Sequence, residues 1–387
     1  MKPVCGYLPS TWLSDQQGGL RTPGSSAVVH PCVIQLRRQS LDREATIHGV
    51  EQRIDRVRLA DGTEVGFAVA GRGPVLVCAP GWVSHLELGW ALPVERRFYE
   101  ALADGRRLVR YDRPGCGTSG PAPDGGLAEV ELEVIEAVTR AVDADRFDLL
   151  GTSSSAPLAV RWASSRPETV RRLVLYGGWV DGRRLGPPGL REHVLGLIEQ
   201  HWGLGSEVLT DIFAPGADAG FRALFAAHQR ESASAGTARR LLAAGYELDV
   251  SDDLARVRAP TVVIHREGDR AVPLAEGQRL AAGIDGATMT VLPGRTHVPF
   301  AGDVDALVDA IRQGLGLPPV KRRFAPALTP RQMEVAALVS EGLSNRQIAE
   351  RLVITERSAE SHVERIRGRL HFRSRAQIAA WYVATRT

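Results

Sequence analysis

The sequence predicts an α/β fold, a mostly parallel sheet layered with helices and topped by a helical cap, followed by a small all-α domain. Three observations carry that reading. Six short, strongly apolar runs recur between Val75 and Gly294, with helical stretches between them. The rhythm breaks once, between Trp179 and about Arg258, where the pattern turns helical. After a Pro/Gly/basic stretch, LGLPPVKRRFAP at 315–326, the rest of the chain follows a helical period. At 387 residues the chain is long enough for two domains, each with its own core.

Residues 1–48 show no sustained period and cluster Gly, Pro, Ser and Gln, so they are expected to be disordered. The expected plan is then a large domain at 49–316 with its cap at about 180–257, a linker at 317–325 and a helical domain at 326–387. Order begins near Val50, where RVRLADGTEVGFAVAG alternates on both sides of Asp61-Gly62, the signal of a two-residue hairpin. VLVCAP (75–80), RLVRY (107–111), FDLLG (147–151), RLVLYGG (172–178), TVVIH (261–265) and TMTVLPG (288–294) follow. Runs this apolar suit strands buried on both faces of a parallel sheet. In the break, Leu190, Val194, Leu197, Ile198 and Trp202 share one helical face, and Phe221, Leu224, Phe225 and His228 another. Such an insertion sits over a pocket.

The net charge of +3 is uneven. From Pro319 to Thr387 there are 13 Lys/Arg against 6 Asp/Glu, a balance of +7, which leaves −4 on the remainder. A basic end on a mildly acidic body points to a polyanion as the partner of the C-terminus. Cys5, Cys32, Cys78 and Cys116 are scattered without a C-x-x-C pair or metal-ligand spacing, so neither disulfides, a metal nor a cofactor is expected. No apolar run approaches the roughly 20 residues that cross a bilayer, and the first residues lack a secretory pattern. A cytoplasmic chain without a membrane partner is the expectation.

Chemistry enters where FDLL runs into Gly151-Thr152-Ser153-Ser154-Ser155 and then a helical stretch. A strand–turn–helix of this kind makes a sharp elbow that exposes one hydroxyl, here Ser153. Small residues two before and two after are needed, because the turn brings their backbones together. Gly151 fits, and Ser155 stands where a second glycine is usual. Asp269, after TVVIH, and His297, after TMTVLPG, follow in an order that would bring a carboxylate and an imidazole to the same sheet edge. Histidine would take the serine proton while aspartate fixes its tautomer. His85 reads as a packing or pocket-lining residue and His265 as the end of a strand.

With these residues in place, the region from about Val50 to Gly316 resembles the α/β-hydrolase fold. That resemblance implies an oxyanion hole from the backbone N–H groups of Trp82, in PGWVSHLE (80–87), and Ser154. The stretch Asp112-Arg113-Pro114-Gly115-Cys116-Gly117-Thr118-Ser119 resembles the family's D-x-R-G-x-G-x-S turn, with Pro114 in the usual Arg position, and reads as structural.

In the C-terminal segment, Thr329, Ser344, Thr355 and Ser374 are expected helix caps, three of them in S/T-x-x-Q boxes. Val335, Leu338 and Val339, then Ile348, Ala349 and Leu352, then Ala359, Val363, Ile366 and Leu370 make inward stripes. Two short helices across a three-residue turn form a helix-turn-helix. Its second helix offers Arg357, Ser358, Ser361, His362 and Arg365 to base edges, while Arg369, Arg373 and Arg375 suit phosphate. The stretch from Leu328 to Leu370 resembles the LuxR-type DNA-binding domain, with Glu360 and Glu364 at positions often basic there. The resemblance implies double-stranded DNA as partner and a homodimer on it. The function expected is a transcriptional regulator whose hydrolase-like domain senses a small-molecule ligand. The alternative is an active serine hydrolase, esterase- or lactonase-like, whose DNA-binding domain is secondary.

Overall fold

The computed structural model describes residues 50–123, 126–320, 328, 330–370, 372 and 374–384. The segment expected to be disordered, 1–48, residues 321–325 of the expected linker, the expected cap Thr329, and Arg373 lie outside the described residues.

Strands β1 (Gln52–Arg58) and β2 (Glu64–Gly71) pair antiparallel, Arg58 opposite Glu64. The hairpin differs from the expected two-residue turn. Leu59 N–H donates to the Thr63 carbonyl at 2.9 Å, so Ala60, Asp61 and Gly62 form a three-residue loop. Gly62, at φ +90°, supplies the positive φ that such a loop requires, and Asp61 accepts from Thr63 N–H at 2.8 Å.

There follow β3 (Val75–Ala79), α1 (Leu86–Ala91), α2 (Pro93–Ala103), β4 (Arg107–Tyr111), α3 (Leu127–Ala141), β5 (Phe147–Thr152), α4 (Ser155–Ser165) and β6 (Val170–Tyr176). The helical break holds α5 (Pro188–Gln200), α6 (Trp202–Phe213), α7 (Ala219–Ser232) and α8 (Ala235–Glu247). Then come β7 (Thr261–Arg266), α9 (Leu274–Gly283), β8 (Thr288–Leu292) and α10 (Val304–Gly314). All six apolar runs form strands. The sheet runs β1-β2-β4-β3-β5-β6-β7-β8, antiparallel at β1–β2–β4 and parallel from β4 onward.

Alternate residues of a strand point to opposite faces, and both faces of the central strands are buried; β8, expected to be buried on both faces, lies at the sheet edge with Thr288 and Val291 exposed. Val77, Leu149, Leu173 and Val263 pack with Val134, Val138, Ala159 and Trp162 of α3 and α4. Leu76, Leu150, Val174 and Ile264 pack with Phe98 and Leu102 of α2 and Leu307 and Ile311 of α10. Each such side chain contributes roughly 1.5–3 kcal/mol on burial. The cap helices have a cluster of their own, in which Val194, Ile198, Leu209 and Leu241 meet Trp82.

The C-terminal elements are α11 (Pro330–Ser340), α12 (Asn345–Leu352), α13 (Glu356–Leu370) and α14 (Arg375–Ala384). Val335, Leu338, Val339, Ile348, Ala349, Ala359, Val363, Ile366 and Leu370 form one buried cluster, with Leu352 packed against it. Ser344 and Gln347 complete a reciprocal capping box at the start of α12. Ser374 and Gln377 do the same for α14, and Thr355 Oγ1 accepts from Ser358 N–H at 3.2 Å.

Candidate functional site

The elbow forms at the end of β5. Ser153 has φ +55°, a left-handed conformation unfavourable for a residue with a side chain, and its N–H donates to the Tyr176 carbonyl at 2.8 Å. Gly151 cannot be larger: a Cβ there would lie 2.8 Å from Ala156 Cα, Ala159 Cβ and the Ser155 carbonyl. Ser155 itself is fully buried and fits the turn. Its Oγ lies 2.9 Å from the Ala79 carbonyl oxygen and accepts from Thr152 N–H at 3.1 Å. The hydroxyl thus uses the crowding that a glycine would avoid.

Ser153, His297 and Asp269 come together. His297 Nε2 lies 2.7 Å from Ser153 Oγ, and its Nδ1 lies 2.7 Å from Asp269 Oδ2. Asp269 Oδ1 accepts from the N–H groups of Ala271 at 2.9 Å and Val272 at 3.1 Å. Burial works to raise the Asp269 pKa, but the interaction with His297 and the Val272 N–H outweigh it and hold the carboxyl below its ordinary value. The His297 N–H donates to the Phe213 carbonyl at 2.6 Å, which ties the histidine loop to the end of α6. This arrangement can move a proton from Ser153 Oγ to His297 while Asp269 holds the ring, the geometry of nucleophilic attack on a carbonyl.

Trp82 and Ser154, expected to supply the oxyanion amides, line a cavity with Ser153 and His297. One buried side chain touches both. The Arg113 guanidinium donates to the Gly81 carbonyl, to the Trp82 carbonyl at 3.3 Å and to Ser154 Oγ at 3.3 Å. It is held by Glu131 at 2.8 Å, which also accepts from Tyr111 Oη at 2.5 Å. No periodicity or motif marks Glu131 as Arg113's partner, so this network was invisible until the fold brought α3 under the turn. His85 caps α1, accepting from Leu88 N–H at 3.4 Å. His265 is fully buried in β7, with Nε2 3.0 Å from the Val272 carbonyl, and burial holds its pKa down.

Two cavities meet at Ser153. The larger, about 300 Å³, is mostly apolar, with Leu209, Ile212 and Leu241 on the cap side and Arg191 and Arg270 among its walls. The smaller, about 90 Å³, shares Ser153, His297, Trp82 and Phe213 and adds Glu95, Tyr99, His228 and Gln229. Sequence reasoning put His228 on an apolar helix face and missed the other three polar residues. Among the described residues no group of His, Cys, Asp and Glu could hold a metal ion, and no helix is long and apolar enough to cross a membrane.

In the C-terminal domain, α12 and α13 meet across Val353-Ile354-Thr355, with Val353 in the left-handed region at φ +53°. Along α13, Arg357 and Arg365 are exposed, and Ser358, Ser361 and His362 are half-buried. Glu360 and Glu364 are exposed too, and Glu364 pairs with Arg367 at 2.6 Å. The Arg369 side chain lies outside the described residues. The guanidinium of half-buried Arg375, expected at phosphate, donates to Asn345 Oδ1 at 2.6 Å and to the Leu343 carbonyl, clamping α14 to the start of α12.

Residues 76–310 match the model of the alpha/beta hydrolase family, and residues 326–382 that of bacterial regulatory proteins, luxR family. A 2-hydroxy-6-oxononadienedioate/2-hydroxy-6-oxononatrienedioate hydrolase from Cupriavidus pinatubonensis is 29% identical over 240 residues, 59% of this chain and 79% of that protein. A pyrrolizixenacetamide deacetylase from Xenorhabdus hominickii is 28% identical over 249 residues, 62% of this chain and 90% of that protein. The fold is shared with a hydrolase from Pseudomonas aeruginosa at a TM-score of 0.60 and 22% identity, over 68% of this chain and 98% of that one. The chain belongs to the α/β hydrolase family and ends in a luxR-family helix-turn-helix DNA-binding domain.

Proposed function

We propose that the chain is a DNA-binding transcriptional regulator whose hydrolase domain is a sensor, taking a small ester-like molecule at Ser153. The observation that carries this reading is the pairing, in one chain, of a formed Ser153–His297–Asp269 array beneath a capped, mostly apolar cavity with a luxR-family domain. A sensor needs a pocket that holds its ligand and an output that contacts DNA, and the two domains supply those two parts. The relatives are named as a hydrolase of 2-hydroxy-6-oxononadienedioate and 2-hydroxy-6-oxononatrienedioate and as a deacetylase of pyrrolizixenacetamide, which supports a small organic ligand.

The second reading is turnover as the main activity. The two 2.7 Å contacts favour it, because nucleophile, base and orienting carboxylate already stand within reaction geometry. One experiment separates the two. A reporter is driven from a duplex that the chain selects from a random pool, and is read for wild type and Ser153→Ala across doses of small esters and lactones. Hydrolysis of the same panel is followed in parallel. Sensing predicts dose-dependent control that survives Ser153→Ala. Turnover of roughly 1–10³ per second, with a variant that no longer regulates, overturns it in favour of the hydrolase.

A further inference from the structure

The smaller cavity, mostly apolar like its neighbour, has three buried polar side chains in its wall. Glu95 of α2 and His228 and Gln229 of α7 are 6%, 8% and 0% exposed. Glu95 Oε2, His228 Nδ1 and Gln229 Oε1 have no hydrogen-bond partner. Buried polar groups are nearly always paired, so three unpaired atoms on residues around one small cavity ask for a complementary group.

What that group is follows from the chemistry of the three. The Gln229 amide nitrogen already donates to Thr210 Oγ1 at 2.8 Å and to the Ser206 carbonyl at 3.1 Å, which leaves its oxygen, an acceptor, unpaired. Burial brings His228 down to about 4, so at neutral pH the ring is uncharged and one nitrogen is an acceptor. Arg110 stands 3.8 Å from Glu95 Oε1, and Oε2 is left over. No Arg or Lys lines the cavity, whereas Arg191 and Arg270 line the larger one.

We infer that the small cavity is a subsite for a hydrogen-bond-donating end group, a hydroxyl in the simplest case, and that it rejects a carboxylate. The inference rests on the reading of Ser153 as the centre of a ligand pocket, and adds to it a bipartite ligand: an apolar arm in the larger cavity and a short hydroxylated arm in the smaller. A carboxylate there would lose its water beside the acceptor oxygen of Gln229, with no Arg or Lys lining the cavity to compensate.

The test uses the full chain with Ser153→Ala, so that esters bind without turnover. Calorimetric titrations with hexyl butyrate, hexyl 3-hydroxybutyrate and monohexyl succinate share one apolar arm and vary the other. The hydroxy ester is expected to bind at least about fivefold tighter than hexyl butyrate, and the succinate weakest. His228→Phe and Glu95→Gln, each added to Ser153→Ala, are expected to draw that ratio towards one. Equal binding of the three esters, tightest binding of the succinate, or a ratio untouched by both substitutions overturns the subsite and leaves the ligand-pocket reading standing. Binding of none of them overturns both.

Discussion

The Ser155 Oγ and the Ala79 carbonyl oxygen lie 2.9 Å apart, joining the end of β3 to the elbow that presents Ser153. The same hydroxyl accepts from Thr152 N–H, so one side chain fixes both sides of the turn. Ser155→Ala should leave a buried donor and acceptor unpaired, at a cost of about 1–3 kcal/mol. It should also slow fluorophosphonate labelling of Ser153 by about tenfold, because the loop bearing Trp82 loses its tie. Urea unfolding and labelling kinetics check the two effects. Unchanged labelling would show that the elbow holds its shape without the bond.

Arg113 and Glu131 form a buried ion pair beneath both expected oxyanion residues. Removing one partner of such a pair leaves an uncompensated charge, at about 3–5 kcal/mol. Arg113→Met should therefore lower the urea midpoint strongly, and Glu131→Gln by a comparable amount. The double variant should lose less than the sum of the two. Additive losses would mean that the pair does not act as a unit.

Two groups of the small cavity set opposing pH dependences. Burial raises the Glu95 carboxyl from 4.5 to about 7, against the pull of Arg110 and with Asp112 adding to the rise. Burial lowers the His228 ring from 6.5 to about 4, against the pull of Asp112. The folded chain keeps a Glu95 proton that the unfolded chain has lost, so this contribution is full below 4.5 and is lost as pH rises through 7. The unfolded chain takes up a His228 proton that the folded chain refuses, so this one is full above 6.5 and is lost as pH falls through 4. Between about 4.5 and 6.5 they oppose each other. Glu95→Gln should make stability climb more steeply with pH across that window, and His228→Phe should make it climb less. Urea midpoints measured at half-unit steps check both signs.

Much of this was legible beforehand, because strong local patterns carry it. The runs from Val75 to Leu292 read as strands because each is short and strongly apolar, which burial in a parallel sheet favours, although β8 at its edge is partly exposed. Ser153, Asp269 and His297 each follow such a strand, and parallel strands bring their C-terminal ends to one edge. The Ser344 and Ser374 boxes act within four residues, so they too are readable. The Arg113–Glu131 pair and the Glu95–His228–Gln229 lining join residues far apart in sequence, and only packing creates them. The contacts of Arg375 within the domain were not legible either, because its acceptors, Asn345 and the Leu343 carbonyl, belong to another helix and its approach.

On α13, Arg357 and Arg365, the arginines proposed to meet base edges, are exposed. Arg357→Ala and Arg365→Ala should each weaken binding to a selected duplex by roughly 1–3 kcal/mol, and binding to random DNA by less. Binding of the parent should fall steeply with salt as counterions are released. Fluorescence anisotropy over a salt series reads both, and equal losses on the two duplexes would assign the arginines to phosphate instead.

The coupling of the Ser153 pocket to DNA is the centre of the account, and one measurement addresses it directly. The full chain is labelled at Ser153 with a fluorophosphonate, labelling is checked for completeness by mass, and anisotropy titrations on a selected duplex compare labelled and unlabelled protein at one salt concentration. Occupation of the pocket is predicted to change the dissociation constant by at least about fivefold, a coupling at the low end of what two linked sites show, and Ser153→Ala treated with the same reagent should show no change. Identical titrations for fully labelled and unlabelled wild type would contradict the account.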